Sequence, residues 1–220
     1  MREKIRYGFI GFGRFSELTM LPAISGSTNS ELVAIQKRSA DAAKEKAQEL
    51  NIKAAYGSID QLLSSPEIDA VYIASPTSSH SDDVIKAARA GKHVLVEKPM
   101  AMNSVEAEKM VETCKKNNVK LMVAHMARFS PVNMRLKELI REGAVGKLTY
   151  VKAEYFYDVR QSKRWWSRDT KIAGGGPIFD IGVHCLDTLR YILNDEVVST
   201  KSQINPPLNE EKTEMAGILA

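Results

Sequence analysis

Two hydrophobic periods alternate along the first half of the chain. Short runs rich in β-branched and aromatic residues, IRYGFIGFG, ELVAIQKR, AVYIASP, HVLVEKP and KLMVAHM, read as strands. Between them lie amphipathic stretches with helical spacing of apolar positions: FSELTMLPAI, SADAAKEKAQELN, the short SIDQLLSS, SDDVIKAARAG with its glycine stop, and SVEAEKMVETCKKNN. Strands alternating with helices predict right-handed βαβ crossovers and a parallel sheet covered on both faces. After about Arg128 the rhythm changes. PVNMRLKELIREGAVG predicts a helix with a glycine exit, KLTYVKAEYFYD a long alternating strand, and GGGPIFDIGVHCLDTLRYIL a glycine-led helix. EVVSTKSQI and TEMAGILA predict two further strands around the turn-rich NPPLNEEK. The pattern predicts an α/β domain over residues 1–124 and an α+β domain over residues 125–220. An apolar alternation still running at Ala220 leaves a sheet edge unpaired, so the second domain is expected to be incomplete and the natural protein to continue.

Composition narrows the class. Of the 220 residues 44% are hydrophobic and 26% charged, the balance of a soluble globular protein rather than a disordered or membrane-spanning one. No apolar stretch approaches the ~20 residues that span a bilayer, and the N-terminus lacks a signal-peptide core. Cys114 and Cys185 have no pairing or metal-type spacing and read as free thiols of a cytoplasmic protein. The net charge of +4 suits an anionic small molecule, but no basic stripe is interleaved with aromatics, so neither nucleic acid nor membrane is an expected partner.

Four stretches carry candidate chemistry. Gly11-Phe12-Gly13-Arg14-Phe15-Ser16 fits G-x-G-x-x-[GA] with serine at the third small position, after a strand and before a helix. There the backbone can approach a pyrophosphate seated on the helix N-terminus; a tight turn without ligand is the other reading. An NAD site usually carries an acid about 20 residues further on. This chain has Gln36, Lys37, Arg38 and Ser39 instead, with no acid at the strand end. Lys37, Arg38 and Ser39 can hold a 2′-phosphate, which favours NADP, although a solvated basic pair fits as well. Ser75-Pro76-Thr77-Ser78-Ser79-His80 follows a buried strand, where its hydroxyls and amides suit phosphate or ribose but also suit a helix N-cap. His80 is either a cofactor contact or part of that cap. Glu97-Lys98-Pro99 places an acid and a lysine at the end of an apolar strand. Lys98 can donate to a substrate oxygen, and Glu97 can contact ribose or hold Lys98, unless the two are a surface ion pair.

GFIGFG, AVYIASPTSSH, GKHVLVEKPMAMN and GGGPIFDIGVHCLDTLRYIL resemble, in order and spacing, the Gfo/Idh/MocA family of glucose–fructose oxidoreductase, inositol dehydrogenase and related sugar dehydrogenases. The resemblance implies a Rossmann domain followed by a domain with an open, mostly antiparallel sheet that commonly serves homo-oligomer contacts. It also implies that Lys98, Asp180 and His184 face the nicotinamide and the substrate carbinol. Asp180 and His184 are four apart and share a helix face. An imidazole titrating near working pH can take or give the hydroxyl proton, lysine can stabilise an alkoxide, and aspartate can orient either. A metal site is not expected, because two ligands are too few and His125 is the one candidate third. A structural hydrogen bond between Asp180 and His184 is the bland alternative. By the same resemblance His125 and Arg128 are candidate substrate contacts, with packing or a salt bridge as the alternative. Trp166, chosen over Trp165, is a candidate cofactor contact. The expected function is an NADP-preferring oxidoreductase acting on a sugar, polyol or keto-sugar. The alternatives are an NAD-linked inositol or dihydrodiol dehydrogenase and a non-catalytic nucleotide sensor.

Overall fold

The apolar runs of the first half pair as the pattern requires. In the computed structural model, which describes residues 4–155, 169–205 and 216–219, six strands form one all-parallel sheet. They are β1 (Ile5–Ile10), β2 (Ser30–Gln36), β3 (Ala54–Tyr56), β4 (Ala70–Ile73), β5 (His93–Val96) and β6 (Leu121–Val123), in the order β3-β2-β1-β4-β5-β6. β3 pairs with β2 over three residues, too few to show an alternation, and the sequence pattern did not predict it. The crossovers carry α1 (Leu21–Ser25), α2 (Ala40–Glu49), α3 (Ile59–Leu63), α4 (Thr77–Arg89) and α5 (Ser104–Lys116). Ser39, Ser58 and Asn103 start α2, α3 and α5 by accepting the amides of Ala42, Gln61 and Glu106, each satisfying an otherwise orphaned helix donor.

The chain divides into two compact units, Met1–Ala124 and His125–Ala220. In the first, successive strand residues point to opposite faces and build two cores. Ile10, Val71, Ile73, Val94 and Val96 pack with Val84 and Met110 on one side. Phe9, Ile35 and Tyr72 pack with Phe12 and Ile24 on the other. β4 is buried along its whole length, as a strand covered on both faces must be. The strand order reverses between β1 and β4, so the loops after these two strands open side by side at the carboxyl end of the sheet.

The second unit holds a 3₁₀ turn (Met126–Phe129), α6 (Pro131–Arg141), α7 (Thr170–Ala173), a π-helical turn (Ile178–Gly182) running into α8 (Val183–Leu193), and an antiparallel pair, β7 (Ser202–Asn205) with β8 (Ala216–Leu219). The long strand predicted from KLTYVKAEYFYD does not form over residues 147–155; the rest of that run lies outside the described residues. Alternation makes a strand only where a neighbouring ladder accepts it, and among the described residues none pairs with 147–155. For the same reason residues 196–201 of the predicted EVVSTKSQI strand stay irregular and exposed, and only its end pairs. The open antiparallel sheet is therefore represented, among the described residues, by two strands.

Candidate functional site

The glycine turn is shaped by backbone geometry and gripped by β2. Gly11 has φ +72°, and a Cβ there would stand 2.8 Å from the Ser75 backbone nitrogen, so only glycine fits the reversal point of the sheet. Gln36, 6% exposed at the end of β2, holds the turn twice. Its side-chain oxygen accepts the Gly11 N–H at 3.1 Å and its carbonyl accepts the Phe12 N–H at 2.9 Å. Gly13 receives the first helical bond, from Glu17 N–H at 3.0 Å. Arg14 and Phe15 are exposed, while Ser16 is buried at 1% where a third small residue lets the helix lie close to the sheet. This cradle, with backbone approach on one side and a buried small residue on the other, fits a dinucleotide pyrophosphate.

Lys37 and Arg38 follow directly. The Lys37 ammonium lies 5.9 Å from the centroid of the Phe12 ring, which ties it to the glycine turn, and Arg38 is exposed. Ser39, grouped with them in sequence, spends its hydroxyl on capping α2.

At the end of β4 the Ser75 hydroxyl donates to Asp83 Oδ2 at 2.6 Å. Pro76, not a hydroxyl residue, occupies the N-cap of α4, and Thr77 is buried at 3%. His80 is 1% exposed, its Nδ1 2.8 Å from the Pro99 carbonyl and its Nε2 2.9 Å from the Ser75 carbonyl. The ring thus bridges the loops after β4 and β5. Burial pushes its pKa down, the backbone carbonyls pull it up, and the charge of Lys98 adds to the downward side. Beyond β5, Glu97 accepts the Tyr72 hydroxyl at 2.7 Å and the Lys98 N–H at 3.2 Å. Burial and the adjacent carboxylate drive the Tyr72 phenol far above its ordinary range, so it remains a donor.

In the second unit Asp180 sits in the π-helical turn, its N–H bonded to Gly176 O at 2.8 Å, and His184 lies one turn on, in α8. The glycine run before them serves packing: Gly174 has φ +84°, and a Cβ there would meet the Phe179 ring at 2.5 Å. The His125 and His184 rings meet edge to face at 6.5 Å, and Tyr155 stacks on His184 at 6.3 Å. Arg128 grips Asp187 with Nε at 2.9 and 3.0 Å and a terminal nitrogen at 2.6 Å. His125 Nδ1 is 3.6 Å from the same carboxylate. Arg128 therefore displays the salt-bridge alternative of its sequence reading. Trp166 lies outside the described residues.

Three partners escaped the sequence reading: Gln36, Tyr72 and Asp187. Each is a polar group set within an apolar strand or helix, which is the one local signal they carry; their partners lie 25 positions away for Gln36 and Tyr72 and 59 for Asp187.

A six-stranded parallel sheet in this order, with a glycine turn at its reversal, defines a Rossmann dinucleotide-binding domain. Residues 5–125 match the family model described as an oxidoreductase family with an NAD-binding Rossmann fold, and residues 133–219 match the GFO/IDH/MocA C-terminal domain. The chain belongs to the Gfo/Idh/MocA oxidoreductase family. It is 33% identical over 196 residues to trans-1,2-dihydrobenzene-1,2-diol dehydrogenase of Xenopus tropicalis, a match covering 87% of this chain and 57% of that protein. It is likewise 33% identical over 191 residues to 1,5-anhydro-D-fructose reductase of Ensifer adhaerens, covering 87% of this chain and 57% of the relative. The crystal structure of aldose-aldose oxidoreductase from Caulobacter crescentus, complexed with glycerol, superimposes with a TM-score of 0.81 at 28% identity, over 92% of this chain and 62% of that one. The chain thus spans little more than half the length of the curated relatives it matches.

Proposed function

We propose that this chain carries the cofactor domain and reacting side chains of an NADP-preferring oxidoreductase that interconverts a carbinol and a carbonyl on a sugar, polyol or keto-sugar. The observation that carries the cofactor half is the end of β2, where the polar side chain of Gln36 turns inward to Gly11, Lys37 lies over Phe12 of the turn, Arg38 follows exposed, and no acid stands at the strand end. Two cations suit a 2′-phosphate; a carboxylate would suit the free 2′-hydroxyl of NAD. The substrate class is supported by relatives named as a dihydrodiol dehydrogenase and an anhydrofructose reductase.

When bound, the nicotinamide accepts or supplies the hydride. The remaining work falls to this chain. In the oxidative direction the carbinol C–H bond breaks with its electron pair leaving as hydride, and His184 takes the hydroxyl proton as the carbonyl forms. Lys98 stabilises charge on the substrate oxygen, and Asp180 orients substrate or imidazole. In the reductive direction His184 returns the proton. The backbone of Gly11, Phe12, Gly13, Ser75 and Thr77 is assigned to the cofactor side, and His125, whose ring meets that of His184 edge to face, is assigned to the substrate.

The test is a parallel fluorescence titration with NADPH and NADH, followed by a carbonyl-reduction screen on sugars with wild type and Lys98→Ala. At least tenfold tighter NADPH binding is expected, with turnover lost in Lys98→Ala while cofactor affinity is largely kept. Preference for NADH would reduce Lys37 and Arg38 to solvated surface and favour the NAD-linked dihydrodiol reading. Unchanged turnover in Lys98→Ala would remove the role assigned to the lysine.

A further inference from the structure

The carboxyl end of the Rossmann sheet carries a row of groups in contact, and no motif announces it. The Phe12 ring of the glycine turn lies 6.2 Å from Phe9, and Phe9 lies 4.9 Å from Tyr72, tilted at 60°. Tyr72 donates to Glu97 at 2.7 Å, and Glu97 accepts the main-chain N–H of Lys98 at 3.2 Å. We propose that Tyr72 is a positioning residue for Lys98, its buried hydroxyl fixing the Glu97 carboxylate that in turn holds the Lys98 backbone. The inference rests on the dehydrogenase reading for what Lys98 does, but not for where it is held.

The physical case is one of rigidity. Tyr72 is wholly buried on β4, with β1 and β5 as its hydrogen-bonded neighbours. Its ring is packed by Phe9, so its hydroxyl is a donor that cannot wander. A glutamate side chain at a strand end has several rotamers of similar energy. One strong donor from the central strand selects among them, and a hydrogen bond to a charged acceptor is stronger than one between neutral groups. The same turn is gripped from α4, where the His80 ring meets the Pro99 carbonyl, so Lys98 is flanked by two anchored residues. Support of this kind is what holds a reacting group within a fraction of an ångström of its working position. The aromatic contacts link this support to the glycine turn, placing cofactor seating and lysine placement on one rigid row.

Tyr72→Phe removes a single oxygen and preserves the ring packing, so the fold is retained. The whole chain is to be compared as wild type and Tyr72→Phe in three measurements. These are the NADPH dissociation constant, the kcat and KM for a reducible sugar, and the 13C NMR resonance of Lys98 after reductive methylation, assigned with Lys98→Arg. Expected are an NADPH affinity within about twofold, a kcat lower by about tenfold with KM unchanged, and a displaced or broadened Lys98 resonance. A role confined to stability would lower the melting temperature and leave both the kcat-to-KM split and the resonance alone, and that result overturns the proposal. If the wild type neither binds dinucleotide nor reduces a carbonyl, the dehydrogenase reading falls; the Lys98 resonance then still decides whether Tyr72 holds it.

Discussion

Asp83 keeps a carboxylate at 5% exposure, with the Ser75 hydroxyl as its donor at 2.6 Å. Burial raises its pKa, and the Ser75 bond only partly offsets that. The sign follows directly. A folded-state pKa above the unfolded value means that the folded protein binds the proton more tightly, so this group supports folding below the ordinary carboxylate range and opposes it as pH rises through the folded value. Asparagine has no such titration and still offers an oxygen to Ser75. Asp83→Asn is therefore expected to raise the melting temperature by about 2–4 °C at pH 7.5, with the gain shrinking toward zero near pH 4. A loss of similar size at both pH values would show that the carboxylate is satisfied and that burial does not govern it. Such a residue is unreadable from sequence. The DD pair in SSHSDDVI looks like a solvated helix face, and only the packing of α4 turns Asp83 inward while Asp82 stays exposed. Arg128 shows the same blindness, since its partner Asp187 lies 59 positions away on another helix.

Elements were legible where periodicity and punctuation agreed. AVYIASP, HVLVEKP and the helix between them carry period, length and stop signals together, and they form where predicted. β3 failed for shortness, and residues 147–155 failed because alternation states a preference that only a paired neighbour can realise. The glycine turn joining β1 to its helix was legible because its need is local: a positive φ is a property of one residue. Replacing Gly11 by alanine forces φ +72° on an L side chain and drives a Cβ to 2.8 Å from the Ser75 nitrogen. Both faults strike the turn proposed to seat the pyrophosphate. Gly11→Ala is expected to lose about 1–3 kcal/mol of stability and at least ~10-fold in NADPH affinity, read by thermal melting and by titration. Wild-type affinity in this variant would mean that the turn is not the dinucleotide cradle. The candidate residues divide along the same line. Gly11, Lys98, Asp180 and His184 stand in recognisable sequence patterns, whereas Gln36 on the Gly11 amide, Tyr72 on Glu97 and His80 on the Pro99 carbonyl depend on strands and loops of the first unit brought together by the fold.

At the scale of the molecule the two units differ in what holds them. Setting glycines aside, the buried residues described in the second unit are Ala173, Ile181, Asp187 and Ile192; all the others belong to the Rossmann unit. Burial of apolar surface is the main favourable term in folding, so among the described residues the sheet of the first unit carries most of it. In the second, the described contacts of α8 include the Arg128–Asp187 pair and Arg128 and Lys137 over the Tyr191 ring. Polar pairs of this kind contribute less than a closed core, because each charge must first be drawn from water. Native-state hydrogen exchange in rising guanidinium is thus expected to resolve two openings. Amides of α8 should exchange through the lower one, with a shallow denaturant dependence, while those of Phe9, Tyr72 and Val96 exchange only with global unfolding, about 2 kcal/mol or more higher. One shared free energy and one slope for both sets would show that the units open together, and the placement of the stabilising core in the Rossmann sheet would have to be given up. Separate openings would fit a division of labour. In that case the glycine turn and Lys98 would stand on the unit that opens last, and His184 on the unit that opens first.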